Sequence, residues 1–286
     1  AGGDYLLILD SDVVLPRGYL RAVSEELDRK PADAFGGPDR AHDSFTDTQK
    51  AISYSMTSFF TTGGIRGGKK KLDKFYPRSF NMGIRRDVYQ ELGGFSKMRF
   101  GEDIDFSIRI FKAGKHCRLF PEAWVWHKRR TDFRKFWRQV YNSGIARINL
   151  YKKYPDSLKL VHLLPMAFTV GVGLLAAVML VGLLLVLVGL MAVSSAGHQA
   201  CLSGPMASVI SGMALMALGV CPLLLYALLI FLDASVVCKS PLVGLLSIRA
   251  AFTQLMGYGC GFIEAWWKRC VRRKDEFSAY EKNFYQ

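Results

Sequence analysis

The sequence Asp4-Tyr-Leu-Leu-Ile-Leu-Asp10-Ser-Asp12 decides the fold of the amino-terminal half of this chain. It places a short apolar run directly ahead of two carboxylates that are one residue apart. The run from Tyr5 to Leu9 is too short for a helix and is apolar on both faces. This pattern predicts a central strand of a covered parallel sheet. Ligands of open α/β sheets bind at the carboxyl ends of such strands, where Asp10 and Asp12 lie.

The two carboxylates allow two interpretations. In an extended chain, side chains two residues apart share a face, so Asp10 and Asp12 can hold one hard divalent cation against a diphosphate. The alternative is an Asx-type turn that follows a strand and binds nothing. An isolated Asp-x-Asp sequence does not decide between them.

A second acidic segment, Phe100-Gly-Glu-Asp-Ile-Asp-Phe-Ser-Ile-Arg-Ile110, predicts the start of a helix. Acidic side chains in a first turn fit the helix macrodipole, and Gly101 allows a tight entry. Ile104, Ile108 and Phe111 are predicted to form one inward stripe.

The three acids of this segment are more than a helix cap needs. Glu102 or Asp105 can pair with Arg109 at helical spacing, which is the structural alternative to a chemical role. At least one of Glu102, Asp103 and Asp105 is therefore expected to remain for chemistry.

Five pieces of the sequence, taken in order, resemble glycosyltransferase family 2, the inverting enzymes with a GT-A fold. The resemblance extends from Asp4 to about Tyr151. The pieces are Leu9-Asp-Ser-Asp12, Ser79-Phe-Asn-Met-Gly-Ile-Arg-Arg86, Glu91-Leu-Gly-Gly-Phe95, Gly101-Glu-Asp-Ile-Asp105 and Trp126-His127.

The resemblance implies an α/β fold, a partial GT-A (Rossmann-like) nucleotide-diphospho-sugar transferase domain followed by a carboxyl-terminal α-helical transmembrane region. It implies transfer of a sugar from a nucleotide-diphosphate donor to an acceptor hydroxyl. Asp103 is then the expected general base, with Glu102 and Asp105 in support. Asp10 and Asp12 are expected to hold Mg²⁺ or Mn²⁺.

Further site residues follow the last motif. His127 ends a predicted strand, 123–127, and some family members use a histidine near this point as a third metal ligand. A histidine satisfied at a strand end is the alternative. Arg129 and Arg130 are candidates for the donor diphosphate, because guanidinium forks match phosphate oxygens, although a solvated basic face is the alternative for at least one of them. Gln139 is assigned to the same site.

The region between Lys159 and Asp233 contains no Asp, Glu, Lys or Arg. No ordinary soluble domain shows such a stretch, so we predict that this region crosses a bilayer. Residues 160 to about 193 and 207–232 are each long enough to span, since about 20 residues cross the hydrocarbon core. Residues 194–205 are predicted to connect them.

A third apolar stretch, 241–267, carries Arg249 and Glu264 and ends beside a basic run, 268–274. It can span, re-enter or lie in the interface. Two complete spans return the chain to the catalytic side, and a third would export the basic run, so the positive-inside rule favours an interfacial or re-entrant helix. The predicted organisation is a catalytic part over 1–155, two transmembrane helices over 156–235, and an interfacial helix with a basic cytosolic tail over 236–286.

The net charge of +14 has a membrane interpretation. Cations beside the predicted spans, including a group in the Gly-rich segment 66–74, attract anionic lipid headgroups or a lipid-linked acceptor. A solubilising loop is the alternative for that group. We expect the bilayer and a lipid-linked or membrane-associated acceptor as partners, and no nucleic acid, since no nucleic-acid motif is present. The expected location is the inner (cytoplasmic) membrane, multi-pass, with a cytosolic catalytic domain.

The resemblance departs from the family at two places. The chain opens at Ala1-Gly2-Gly3 and enters the first strand at once, whereas family members have earlier strands that recognise the base and ribose. We therefore expect this chain to lack the first part of its catalytic domain and to be inactive alone. Processive synthases carry Gln-x-x-Arg-Trp, where this chain has Gln139 but then Asn142-Ser143. We expect a non-processive transferase; a processive synthase and a non-enzymatic membrane subunit are the alternatives.

Overall fold

The computed structural model describes residues 2–62, 75–98, 100–195 and 203–275. Its strands are β1 (Tyr5–Leu9), β2 (Val13–Val14), β3 (Ala34–Gly36), β4 (Asp39–Arg40), β5 (Asn81–Arg85), β6 (Cys117–Leu119) and β7 (Val125–His127). Its α-helices are α1 (Tyr19–Arg29), α2 (Asp47–Thr57), α3 (Phe59–Thr62), α4 (Arg86–Glu91), α5 (Glu102–Lys112), α6 (Phe133–Lys153), α7 (Leu164–Ser195), α8 (Ser203–Val237) and α9 (Pro241–Trp266). This order, strands with short helices and then long helices, confirms the predicted combination of an α/β part and a helical carboxyl-terminal part.

The main sheet has four strands in the order β1-β5-β3-β6. The predicted strand β1 is present with its predicted bounds, but the prediction of a central strand in a parallel sheet is wrong. β1 runs antiparallel to β5, with Tyr5 opposite Arg85 and Leu9 opposite Asn81, and β5 is its one strand partner among the described residues. Its apolar pattern reflects packing on both faces, because Leu6 and Ile8 pack against one core and Tyr5 packs against another. Leu7 is 38% exposed.

Helix α5 begins at Glu102, as the sequence predicts, but its inward face differs from the predicted stripe. Phe106 and Ile110 are fully buried in the core beneath the sheet. Of the predicted stripe, Ile108 is buried, whereas Ile104 and Phe111 are only half-buried. The predicted stripe is therefore displaced around the helix. The cause is that the strands pack on the face that carries Phe106 and Ile110.

A smaller sheet, in the order β2-β7-β4, lies directly after the first Asp-x-Asp sequence. β2 is antiparallel to β7, and Val13 pairs with His127. β4 is parallel to β7, with Asp39 opposite Val125. The predicted strand over 123–127 is thus present in shortened form, and its pairing carries His127 to the end of β1.

Two long helices, α7 and α8, follow the α/β part and pack against each other as an antiparallel pair. With the turn that precedes α7, the segments Leu160–Ser195 and Ser203–Val237 are long and apolar enough to cross a membrane. In each, only 11% of the most apolar stretch is buried inside the structure. Core helices of soluble proteins are mostly buried, so this exposure fits the predicted bilayer region.

Glycines bring α7 and α8 into close contact. A Cβ at Gly182 would lie 2.6 Å from the Gly212 carbonyl oxygen, and one at Gly212 would lie 2.5 Å from that of Gly182. Small residues at helix interfaces let the backbones approach in this way. We call this contact the glycine seam.

Helix α9 packs along helix α6. Near its beginning, Val243 and Ala250 join a core with Phe136 of α6, and near its end Phe262 packs against Ile148 of α6. It contacts α2, α6, α7 and α8, and it is not among the two helices that meet the criteria for a membrane span. The predicted interfacial helix therefore has most of its inner face covered by protein.

Helix α2 ties the α/β part to the membrane helices. Tyr54 donates a hydrogen bond to Asp233 Oδ2 of α8 at 2.5 Å, and Tyr226 of α8 donates one to the Phe60 carbonyl at 3.2 Å. The predicted basic group within 66–74 and most of the connection between the two spans, including residues 196–202, lie outside the described residues, as does the tail after residue 275.

Candidate active site

Three of the predicted site residues meet at the end of β1. Asp10, Asp12 and His127 each offer one ligand atom, and these three atoms lie within 4.8 Å of one another. Two carboxylates and one imidazole form a donor set suited to a hard or borderline divalent cation. The three residues are referred to below as the acid–histidine cluster.

The local backbone at this cluster differs from the expected extended chain. β1 ends at Leu9, and the amide of Val13 donates to the Asp10 carbonyl at 3.3 Å, so that the chain turns between the two carboxylates. The turn that was the alternative to a binding role is therefore present. It does not exclude that role, because the turn leads into β2, whose pairing with β7 brings His127 beside Asp12.

The His127 ring has a defined orientation. Its Nε2 faces Asp12 Oδ1 at 3.3 Å, while its Nδ1 faces Asp39 Oδ2 at 3.8 Å. The ring also stacks on Phe80, with 4.6 Å between ring centroids. The Nδ1 separation is longer than a hydrogen bond, and this buried nitrogen has no hydrogen-bond partner among the described residues. A nearby carboxylate on the far side of the ring is nevertheless the usual position of the group that orients a metal-ligating imidazole.

Electrostatics at the cluster favour a bound cation. Burial raises the pKa of Asp10, and the neighbouring charges of Asp12 and Asp103 raise it further, while His127 lowers it. Several carboxylates held close together disfavour each other's charged form, and a divalent cation relieves that repulsion. The residues present therefore fit the Mg²⁺ or Mn²⁺ that the sequence predicts.

The first turn of α5 places two further acids near this cluster. Asp103 is buried; its Oδ1 accepts the amide of Ile104 at 2.7 Å and its Oδ2 accepts Arg78 Nη1 at 3.2 Å. Burial raises the pKa of Glu102 to about 7, and the charges of Asp103 and Asp10 add to this effect. Gly101, with φ +81°, provides the tight entry that the sequence predicts.

The third acid of α5 has a different environment. The Asp105 side chain is fully buried and contacts Arg109 Nε at 3.0 Å, Lys153 Nζ at 2.5 Å and the Tyr154 hydroxyl at 3.0 Å. Burial alone would raise its pKa, but hydrogen bonds led by that from Lys153 outweigh this effect and lower the pKa of Asp105. Asp105 thus holds α5 against the end of α6.

The predicted basic residues separate into two environments. Arg129 is buried, with its guanidinium ion-paired to Asp39 and its Nε 3.4 Å from Ser53 Oγ. Arg130 is exposed, and its Nε donates to Gln139 Oε1 at 3.3 Å. Arg130 and Gln139 are therefore brought together, whereas Arg129 lies behind His127 through Asp39.

Sequence reasoning did not identify Asp39 or Arg78. Asp39 follows Gly36-Gly37-Pro38 at the end of β3, and an acid after a strand with two glycines was a signal that could have been used. Gly37 is required there, because a Cβ would lie 1.7 Å from the Ala123 carbonyl oxygen. Arg78 lies in no distinctive motif, and its role depends on a contact with Asp103, 25 residues away.

Comparison with known proteins agrees with this geometry. A family model described as glycosyl transferase family group 2 matches residues 5–232. The chain is also similar to the "Probable glycosyltransferase YdaM" of Bacillus subtilis (strain 168), with 36% identity over 59 residues, which is 21% of this chain and 14% of that protein. Because the family match covers most of the sequence and includes the acid–histidine cluster and α5, the chain belongs to glycosyl transferase family group 2.

Proposed function

We propose that this protein transfers a sugar from a nucleotide-diphosphate donor to a hydroxyl of a membrane-associated acceptor, such as a glycolipid or envelope polysaccharide precursor. The transfer is metal-dependent, inverting and non-processive. The observation that carries the proposal is the joint position of the acid–histidine cluster and Asp103, whose charge is close enough to Asp10 to raise the pKa of that residue.

Asp103 is the proposed general base. Its carboxylate takes the proton of the acceptor hydroxyl while the hydroxyl oxygen bonds to the anomeric carbon. The bond from that carbon to the diphosphate oxygen breaks, and its electron pair leaves with the nucleoside diphosphate. Attack opposite the leaving group inverts the anomeric centre. Arg78 holds the Asp103 carboxylate in place through the 3.2 Å contact.

The donor diphosphate is proposed to lie against the acid–histidine cluster. Asp10, Asp12 and His127 would hold the divalent cation, which neutralises charge that develops on the leaving diphosphate. Arg130 and Gln139 are exposed or half-exposed and can reach phosphate oxygens directly. Arg129 supports the site indirectly, since its ion pair positions Asp39 behind His127.

We also propose that the enzyme lies in the inner membrane with its catalytic part in the cytosol. Two features support a non-processive enzyme whose basic run lies on the side of the catalytic part. The glycine seam closes the space between α7 and α8, so this pair by itself leaves no conduit for a growing polymer. Helix α9 follows α6 along its length, which keeps the basic run after residue 267 on the side of the catalytic part. A processive synthase would release labelled polymer, whereas our proposal requires a single addition.

The test of this proposal is the Asp12→Ala variant of the complete protein in detergent. We expect loss of Mn²⁺ binding, followed by electron paramagnetic resonance, together with loss of metal-dependent release of nucleoside diphosphate from a panel of nucleotide sugars. Asp28→Ala removes an exposed acid from α1 and is the matched control. Full turnover by the wild type in excess EDTA would contradict the proposed metal dependence.

A further inference from the structure

A second group of polar and cationic side chains lies on the membrane side of Asp103. Its members are Arg78, Arg147 of α6, Lys159 and His162, and we call it the membrane-side cation cluster. His162 lies within electrostatic range of the other three members. Arg78 is also the residue that contacts Asp103. The cluster therefore lies between Asp103, the proposed general base, and the start of the first candidate membrane span.

The turn of α6 that carries Arg147 packs against Gly101, the residue that precedes α5. A Cβ at Gly101 would lie 3.2 Å from Leu150 Cδ1 and 3.5 Å from Ala146 Cβ, so α6 contacts the residue that precedes the α5 acids. Arg147 Nε is buried and has no hydrogen-bond partner among the described residues. A buried guanidinium donor without an acceptor is costly unless a ligand supplies one.

Lys159 and His162 belong to the short turn that opens the uncharged stretch. The His162 Nδ1 accepts the Lys159 amide at 3.0 Å, which leaves Nε2 as the ring's donor. Leu158 and Leu163 pack against a core that contains Ile148 of α6, so the turn is held against the same helix that carries Arg147. Lys159 is exposed and is in no ion pair within the described part of the chain.

Two of the three basic residues of this cluster, Arg147 and Lys159, have no ion-pair partner among the described residues. The third, Arg78, pairs with Asp103. Three like charges around one imidazole repel each other unless an anion lies between them. Guanidinium groups and a fixed N–H donor are the usual partners of phosphate oxygens.

We propose that the membrane-side cation cluster binds the phosphate of a lipid-linked acceptor and so presents the acceptor hydroxyl to Asp103. This inference rests on the proposed function. The donor diphosphate is a poorer occupant, because its proposed site is the acid–histidine cluster at β1 and β7. The membrane-side cluster instead includes the two residues at which the chain enters the predicted bilayer, where a lipid-borne phosphate lies.

Lipid binding to the complete protein, measured by native mass spectrometry from detergent, tests this inference. The probes are a polyprenyl monophosphate, phosphatidylglycerol and inorganic pyrophosphate. We expect Arg147→Gln to weaken binding of the polyprenyl monophosphate by at least about tenfold, as loss of a charge-assisted hydrogen bond does. Lys152→Gln makes the same charge change at an exposed position of α6 and should bind like the wild type.

Lys159→Gln is the second variant, because its exposed side chain can be replaced without disturbing the fold. It should weaken polyprenyl monophosphate binding as well. Equal polyprenyl monophosphate binding by the wild type and both variants would overturn the inference. Equal weakening of phosphatidylglycerol binding would also overturn it, because that result indicates a general headgroup site. Weakening of pyrophosphate binding alone would overturn it too, because that result indicates a site for the donor. Metal-dependent donor hydrolysis should persist in both variants; its absence from the wild type would instead count against the proposed function.

Discussion

At the residue scale, three neighbouring acids of α5 have unequal surroundings, and this inequality separates their proposed roles. Asp105 is fully buried and committed to Arg109 and Lys153. Glu102 has a pKa raised to about 7, so it is a poor permanent anion near neutral pH. Asp103 has one ion-pair partner, Arg78, at 3.2 Å, and we assign the proton transfer to this carboxylate.

The Asp103→Asn variant tests the assignment of the general base. We expect turnover to fall by at least about a hundredfold, because proton transfer by a positioned group contributes about that much, while donor affinity stays nearly unchanged. Initial rates and equilibrium donor binding measure the two effects separately. If Glu102→Gln or Asp105→Asn alone abolishes turnover, the base is a different carboxylate.

The raised pKa of Glu102 predicts a pH dependence of stability. The folded state binds this proton more tightly than the unfolded state, whose pKa is near 4.5. The free energy of unfolding should therefore fall as pH rises from about 4.5 to about 7. Thermal unfolding of the EDTA-treated protein across this range should show a shallower decline for Glu102→Gln. Identical slopes for the variant and the wild type would contradict the prediction.

Most of the residues that sequence reasoning identified lie at or beside the end of a regular element; Gln139, inside α6, is an exception. Asp10 and Asp12 follow β1, His127 ends β7, and the acids of α5 open a helix. Asp39 and Arg78 were missed because their roles depend on partners far along the chain, namely Arg129 and Asp103. Local pattern carries no information about such contacts. The turn at Asp10 also depends on a distant partner for its importance, because it leads into β2, which pairs with β7 and so brings His127 beside Asp12.

At the element scale, the glycine seam is the feature that most constrains the membrane helices. Gly182 and Gly212 meet with backbone atoms closer than a Cβ permits. In a bilayer, where lipid competes equally for apolar side chains, helix association depends on this kind of close packing. The seam therefore contributes stability that the hydrophobicity of α7 and α8 does not supply.

The Gly182→Leu variant tests the seam. Leucine should force the helices apart and cost about 1–3 kcal/mol, the usual range for overpacking. Gly173→Leu is the matched control in the same helix, because nothing lies within 4 Å of a Cβ at that position. Thermal unfolding in detergent should show a lower midpoint for Gly182→Leu alone. A control that is equally destabilised would show that glycine itself, rather than the seam, matters.

Helices and strands were predicted correctly where the residues that determine them are close together in the sequence. α5 has its start encoded by Gly101 and three acids, and the two long helices follow from an uncharged stretch, so both predictions hold. The direction of β1 was wrong because its partner, β5, lies more than 70 residues away. Strand pairing over that separation leaves no periodic signal in either strand.

At the scale of the whole molecule, helix α9 determines how the catalytic and membrane parts are arranged. Its inner face is covered by α2, α6, α7 and α8, so it joins elements from both parts in one core. This packing supports, for the chain as a whole, the organisation that the charge distribution predicts. In the proposed arrangement, the amino-terminal half and the basic run after residue 267 are expected on one side of the bilayer.

Cysteine accessibility in intact cells tests that arrangement. A variant that retains only Cys270 should not react with a membrane-impermeant maleimide until the membrane is permeabilised. A variant that retains only Cys201, which lies between the two candidate spans, should react from outside and is the matched control. Labelling of Cys270 from outside would mean that 241–266 crosses the bilayer.

The hydrogen bond between Tyr54 of α2 and Asp233 of α8 links the α/β part to the second candidate membrane span. The same α2 helix contacts Arg129, whose ion-pair partner Asp39 lies beside His127. Gln49 donates to the Arg129 carbonyl at 2.9 Å, and Ser53 contacts the Arg129 side chain. A short rigid helix thus joins the carboxyl-terminal end of a membrane helix to the proposed donor site. Because both contacts are made by one short helix, we expect the distance between the bilayer surface and the proposed donor site to vary little. We therefore expect the enzyme to select acceptors by the distance between the reacting hydroxyl and the lipid anchor.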